Sequence, residues 1–484
     1  MSIADAPLDR RTLVRGLVAA GVAVTAADVV AAGPAAAQGR PAVPNPTVTG
    51  PVPARVRPGD PAHDYPYFAS QFDLRGHGYV EEEFFLAGTA NTYTVANGQL
   101  TTASVVDGGH EYRTRMVVRR PVDPKRFNGT VFVEWYNVTM GFDVEADWFR
   151  FHEHIMRAGY AWVGVSAQRV GVDALKAWSP TRYSSLDLTN DAFGFDIYAQ
   201  ALQAIRSPRG VRPLGSLRAS KVIAGGESQS ASKLTQYYNA IHPLHGLADG
   251  FILNGAPEPN LVVRTDLRTP AFKLTTETDV AVIGHAQNRQ PDSRVLRTWE
   301  VTGTSHADFD MIGEDLSPHA PGINPVQFRD TGTFQDWTTC DKPTLPRTPY
   351  KYVYHAALDH LDRWMRRGTP PPHGRPLEVL STSGPRGATL ARDSFGIARG
   401  GIRLAAVDVP IALNASPNSP GFFCSIFGNY EPFSPAVLAT LYQSHGAYVS
   451  RVNRVCDENV RDGYLLAADA RTIRNEAARS DIGR

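Results

Sequence analysis

Residues 221–234 read KVIAGGESQSASKL: a short apolar run, two glycines, then Ser228 between Glu227 and Gln229 where a helical pattern begins. A serine at such a corner resembles the G-x-S-x-G turn that lifts a nucleophile off the end of a strand. Its neighbours must be small, because strand and helix approach closely there. Gly226 meets that need on one side. On the other, Ser230 stands where the pattern has glycine, and Ala231 follows it. A serine hydroxyl is a poor nucleophile at neutral pH and requires a base and a group that orients the base. Both types lie downstream in the order acid, then histidine: Asp279 at the end of TPAFKLTTETD and His306 in WEVTGTSHADFD, each just beyond a strand-like run. In that arrangement Asp279 fixes the tautomer of His306, which takes the proton of Ser228 and returns it to a leaving group. Glu277, two residues earlier, is the rival acid. The amide of Gln229, at a helix N-terminus, favours an oxyanion. A second amide is expected from the loop YNVTMG, at Asn137 or Val138. Trp135, Tyr136, Trp148 and Phe149 crowd the same region, either as lining of an acyl pocket or as plain core.

The elements that must position these groups follow from periodicity. EEFFLAGTANTYTV and YRTRMVVRRPV read as strands. GTVFVEWYNVT, YAWVGVSAQ, KVIAGGES, ADGFILNGA, PAFKLTTETDV and LRTWEVTGTSH are short apolar strands. Several are separated by helical patterns such as DWFRFHEHIMRAGY, DIYAQALQAIRS and QSASKLTQYYNAIH, and the long amphipathic KYVYHAALDHLDRWMRRG follows them. This alternation predicts an α/β architecture, a mostly parallel sheet covered by helices on both faces, with Ser228, Asp279 and His306 on one rim. Residues 371–484 exceed the minimal sheet. They contain Asp393, Arg403 and an amphipathic helix over about 436–459, and read as an extension packed on a core of 80–370.

The 484 residues carry 49 basic and 48 acidic side chains, with no long block of either sign, so neither nucleic acid nor an anionic membrane surface is expected as a partner. Residues 1–37 read as a twin-arginine export leader: Arg10 and Arg11, a mildly apolar stretch interrupted by Arg15 and Asp28, then Ala35–Ala37. Residues 38–79 are rich in proline at their start and read as an extended lead-in. An exported chain can oxidise two of its three cysteines; Cys340 with Cys424 is the preferred pair, which leaves Cys456. No zinc-type spacing is present, and His152 and His154 of HEH sit at i and i+2, which point apart on a helix.

The stretches VFVEWYNVTMGFDVEADW, GYAWVGVSAQRVGV, AGGESQSASKL, TTETDV, GTSHAD and RDSFGIARGGIRLAAVDVPIA resemble those of the bacterial alpha/beta hydrolase domain family, exported proteins of mostly unassigned substrate. The resemblance runs from about residue 80 to the C-terminus and implies an alpha/beta-hydrolase fold. It implies a serine hydrolase triad on Ser228, His306 and Asp279 or Glu277, and Ser230 is the family's own form of the turn. The expectation is hydrolysis of a small-molecule carboxylic ester through an acyl-enzyme, without metal or cofactor. An amidase or lactonase with the same triad, or a silent binding protein on the same fold, are the alternatives.

Overall fold

The computed structural model describes residues 42–70, 73–257, 262–312, 340–384 and 387–484; the leader read over 1–37 lies outside them. Among the described residues the main sheet has nine strands in the order β1-β2-β3-β5-β4-β6-β7-β8-β9. They are β1 (Thr47–Thr49), β2 (Tyr79–Tyr93), β3 (Val105–Pro121), β4 (Thr130–Trp135), β5 (Ala161–Val165), β6 (Lys221–Glu227), β7 (Gly250–Asn254), β8 (Ala271–Thr276) and β9 (Leu296–Val301). From β5 to β9 all neighbours pair in parallel, and β1, β2 and β3 add an antiparallel edge. The parallel strands are buried almost throughout, as both faces are covered, which is why they read as unbroken apolar runs. The chain belongs to the α/β class expected of it.

Helix α1 (Ala146–Ala158) connects β4 to β5, α2 (Gly194–Arg206) precedes β6, α3 (Gln229–Gln236) follows it, and α4 (Tyr350–Arg367) follows β9. Parallel strands put their C-terminal ends on one rim, so the residues after β4, β6, β8 and β9 come together there.

The stretch read as a lead-in is built into the edge of the fold. β1 pairs with β2, and Val43, Val48, Tyr65, Tyr67 and Phe68 are buried. The cause is electrostatic as well as apolar. Arg115 and Arg119, wholly buried on β3, reach back to this segment: Arg115 donates to the Tyr67 carbonyl at 3.1 Å and Arg119 to the Phe68 carbonyl at 3.0 Å. Each guanidinium is held by two carboxylates, Arg115 by Glu83 and Asp143 and Arg119 by Glu81 and Glu145. The lead-in, the sheet edge and the loop after β4 are thereby pinned to one strand.

The extension includes a sheet-edge cover and a helical hairpin. Residue 402 bridges in parallel to Val301, with Thr302 donating to the Ile402 carbonyl at 3.0 Å, so the open edge of β9 is covered. The single helix expected over 436–459 is two: α6 (Pro435–Leu441) and α7 (His445–Asp462). Tyr442 is extended, and the Ser444 side chain accepts from the Ala447 amide to start a new helix, a serine N-cap inside an apolar period. α7 packs against α8 (Ala467–Arg479), and Asp469 on α8 takes a bidentate pair from Arg157 and a hydrogen bond from His355 at 3.0 Å. Asp393 and Arg403 hold turns within the extension: Asp393 accepts from the amides of Phe395 and Ile397, and Arg403 pairs with Asp408.

Removing one buried cation should test this edge. Arg115→Ala leaves Asp143 in the interior without its cation and Glu83 with Arg182 alone, and a loss of roughly 3–5 kcal/mol in urea unfolding free energy is expected, as for a broken buried ion pair.

Candidate active site

Ser228 lies between β6 and α3 with φ 56° and ψ −121°, a conformation that non-glycine residues rarely adopt. Its amide donates to the Asn254 carbonyl at 2.8 Å and its carbonyl accepts from Ser232 at 3.0 Å, which ties the corner to both the sheet and the helix. The close approach is literal at Gly226, where a Cβ would stand 3.0 Å from Leu234 and from the Ser230 hydroxyl. Ser230 also explains its own departure from the G-x-S-x-G pattern. Its hydroxyl accepts from the Glu227 amide at 3.0 Å and donates to the Glu227 carbonyl at 2.8 Å, bracing the turn.

Asp279 and His306 meet across the ends of β8 and β9. His306 Nδ1 is 2.6 Å from Asp279 Oδ1, while Asp279 Oδ2 accepts from the Thr276 amide at 2.7 Å. Asp279 opens a single π-helical turn, Asp279–Ile283, which aims its side chain back over the strand end. Burial works to raise the Asp279 pKa, but His306 and the Thr276 hydrogen bond hold it below the usual carboxylate value. Burial works to lower the His306 pKa, and the Glu227 and Asp279 charges together carry it above its usual value. Gly255, at φ 55°, lets the chain pass: a Cβ there would lie 3.0 Å from both Asp279 oxygens and from His306 Nδ1.

Glu277 has a different partner set. Its carboxylate accepts from the amides of Gly303 (3.0 Å) and Ser416 (3.1 Å) and from Arg392 (2.6 Å). It joins the β8 and β9 ends to the extension, leaving His306 to Asp279.

The loop after β4 corrects the expected amides. The Asn137 amide donates to the Val144 carbonyl at 3.1 Å, closing a small loop, so it cannot serve an oxyanion. The Asn137 side chain instead donates to the Glu227 carbonyl at 2.9 Å. Val138 and Gln229 remain the candidate donors, with Gln229 at the first position of α3, where amides lack intrahelical partners. The Gln229 side chain donates to Gln168 at 3.1 Å, and the same Gln168 oxygen accepts from the Trp135 indole at 3.0 Å.

Ser228 and His306 line one cavity of about 70 Å³, with Glu227, Asn137 and Thr139 as its other polar lining. Of the aromatic candidates only Phe149 lines it. Trp135 packs on Phe195 and Tyr198, Tyr136 faces Arg115, and Trp148 packs against Arg119 and, tilted, against Trp162. Tyr136 and Trp148 are drawn inward by the buried cations of β3, and Trp135 by packing on α2. The missing wall comes from α5 (Gly421–Phe427) in the extension, whose Phe422, Phe423, Ile426 and Phe427 face the cavity with Met140 and Met311. Cys424 on the same helix is disulfide-bonded to Cys340. The extension was expected to pack on the core, but its wall residues were not named, because GFFCSIF lies far along the chain from the serine and only its aromatic density signals it. Arg150 was equally invisible: it reaches from α1 to the His306 carbonyl at 2.9 Å.

Among the described residues no group of three or more His, Cys, Asp or Glu side chains is gathered to hold a metal. His152 faces carbonyls of its own helix, and His154 stacks on His355.

With the strand order, the serine turn and the buried acid–histidine pair in view, comparison with known proteins agrees on the class. Residues 48–475 match the family model described as "Alpha/beta hydrolase domain", and the chain belongs to that family. No curated protein matches this sequence. Solved structures give more distant likenesses. Esterase Est22 is matched at 11% identity over 41% of this chain and 64% of its own, with a TM-score of 0.26. An α/β serine hydrolase without lid from Xanthomonas campestris is matched at 12% identity over 45% of this chain and 86% of its own, TM-score 0.28. A thermostable esterase from Pseudomonas putida is matched at 12% identity over 55% and 83%, TM-score 0.30. The chain thus spans just under two thirds of Est22, and what these proteins act on is said of them alone.

Gly255→Ala tests the packing around the pair. It should cost about 1–3 kcal/mol, because the side chain is both crowded and at positive φ, and should weaken the downfield proton resonance of the His306 Nδ1–H. Glu277→Gln should lower the melting temperature while leaving that resonance in place.

Proposed function

We propose that this protein is a serine hydrolase that cleaves carboxylic esters through an acyl-enzyme. The observation that carries the reading is the 2.6 Å pair of His306 Nδ1 with Asp279, opening into the same cavity as a serine in a strained strand-to-helix turn. Ser228 Oγ attacks the acyl carbon while its proton passes to His306 Nε2. The tetrahedral oxyanion is received by the amides of Gln229 and Val138. As the C–O bond to the alcohol breaks, Nε2 returns the proton to the leaving oxygen. Water then repeats the sequence on the acyl-serine, releasing the acid and restoring Ser228.

The cavity wall bears on the substrate. The lining is almost wholly apolar and Glu227 is its sole charged side chain besides His306, so a neutral acyl group suits it and an anionic one does not. A volume of about 70 Å³ is well under the roughly 150 Å³ that admits benzene, which favours a short acyl chain. We further propose that the chain is exported, on the twin-arginine pattern of its first 37 residues. An oxidising compartment suits the disulfide of Cys340 with Cys424. No helix among the described residues is long and apolar enough to cross a membrane.

Fluorophosphonate labelling with peptide mass spectrometry should find the adduct on Ser228. Turnover of p-nitrophenyl acetate should fall to background in Ser228→Ala, and by about 10³–10⁴ in Asp279→Asn, which imposes the wrong tautomer. A folded protein that takes no label and turns over no ester, amide or lactone is instead a binding protein on this fold. Across p-nitrophenyl acetate, butyrate and octanoate, kcat/KM should fall with chain length. The double variant Cys340→Ser, Cys424→Ser, which frees α5, should flatten that preference and cost roughly 2–5 kcal/mol of stability.

A further inference from the structure

Glu227, the residue immediately before the serine, has a position that the acid–histidine pair does not explain. It is the last residue of β6, it is buried, and its side chain meets a largely apolar cavity. Placing a carboxylate there costs several kcal/mol unless opposite charges face it. Two do. Glu227 Oε1 lies 3.5 Å from His306 Nε2 and 3.8 Å from Arg150 Nη1. Arg150 is itself fixed by the His306 carbonyl and by Asp308 at 3.3 Å. His306 thus sits between two carboxylates, Asp279 on Nδ1 and Glu227 on the side of Nε2.

The distances separate two possible roles. At 3.5 Å Glu227 is beyond the 2.7–3.2 Å of a good N–H···O hydrogen bond, so it leaves Nε2 available to Ser228. It is well within range of a strong Coulomb interaction in a buried site. A charge there does little for a neutral imidazole and much for the imidazolium that exists only after the serine gives up its proton, which is selective stabilisation of the charged stage of the reaction.

Resting on the serine hydrolase reading above, we infer that Glu227 is a second, positioning carboxylate of the site: it stabilises the His306 imidazolium from the Nε2 side, with Arg150 holding it in place and moderating its field. The groups that face His306 are Asp279, Glu227, Arg150 and His285. Behind Arg150 and Glu227 stand Asp308, Asp147, Tyr350 and Tyr354. Of these, Asp279 and Glu227 are the negative charges acting directly on the ring. The His306 pKa, carried above its usual value against burial, agrees with this geometry.

The sign of the effect follows. Activity requires neutral His306, so the acid limb of the kcat/KM profile reports its pKa. Removing the Glu227 charge makes the imidazolium less stable, lowers that pKa and moves the limb to lower pH. The alkaline plateau falls at the same time, roughly tenfold given that Arg150 already offsets part of the field. The experiment is the pH dependence of p-nitrophenyl acetate turnover and of the fluorophosphonate labelling rate, in the full chain and in Glu227→Gln. A limb displaced to lower pH with a lowered plateau supports the inference. An unmoved limb overturns it, whatever happens to the melting temperature, because a merely structural residue changes stability and amplitude without shifting the titration of His306. Should the Gln variant not fold, Glu227→Asp carries the test: the charge is kept but withdrawn from Nε2, and the limb should move the same way by less, an unmoved limb again overturning the inference. Failure of the hydrolase reading looks different, since the unaltered protein then neither labels nor turns over any substrate.

Discussion

The backbone at Ser228 is held at φ 56°, and the rest of the site is arranged around keeping it there. Such a conformation costs about 1–3 kcal/mol and persists only when its surroundings over-determine it. Here they do so from three directions. β7 accepts the Ser228 amide, the Ser230 hydroxyl clamps both backbone groups of Glu227, and the Asn137 side chain holds the Glu227 carbonyl from the loop after β4. The residue that breaks the G-x-S-x-G pattern is thus one of the groups that stabilise the turn. Strain at the corner aims the hydroxyl into the cavity while the helix behind it offers unpaired amides.

A second constraint is the amount of charge buried near that corner. Arg115, Arg119 and Arg150 are fully enclosed, each between carboxylates and aromatic rings. Buried ions of this kind add little net stability, but they are directional, and misplacing any partner is costly. The β3 cations set where the loop after β4 runs, and so where Asn137 and Val138 sit. Arg150 links α1 to the carbonyl of His306, and His355 accepts that linkage onward: it contacts the Arg150 carbonyl at 3.0 Å and Asp469 of the extension at 3.0 Å. The C-terminal region is therefore structural support for the site as well as its wall.

That wall is contributed late in the chain. α5 brings three phenylalanines to a cavity whose polar atoms come from the end of β6 and the segments that follow β4, β6 and β9, and Glu277 with Arg392 and Ser416 anchors the extension directly beside the Asp279 turn. The same family model extends across both regions, to residue 475. Core and extension act as one unit in shaping what the serine meets.

The sequence alone determined the class and nominated the residues of the candidate site. Parallel strands buried on both faces must be apolar runs, so their alternation with helices was legible. A nucleophile turn requires small residues around a serine, and strand-end Asp279 and His306 followed from chain order. What it could not determine was anything decided by partners distant along the chain. By type and spacing Asp279 was preferred with Glu277 left as its rival, and the commitment of Glu277 to Gly303, Arg392 and Ser416 separates them. Asn137 and Val138 were equally plausible amides until the Val144 carbonyl took one. Trp135, Tyr136 and Trp148 are as aromatic as Phe149, but buried cations and packing drew them into the core. Local pattern reports which residues can do chemistry; tertiary structure decides which of them have their hydrogen bonds and charges already engaged elsewhere.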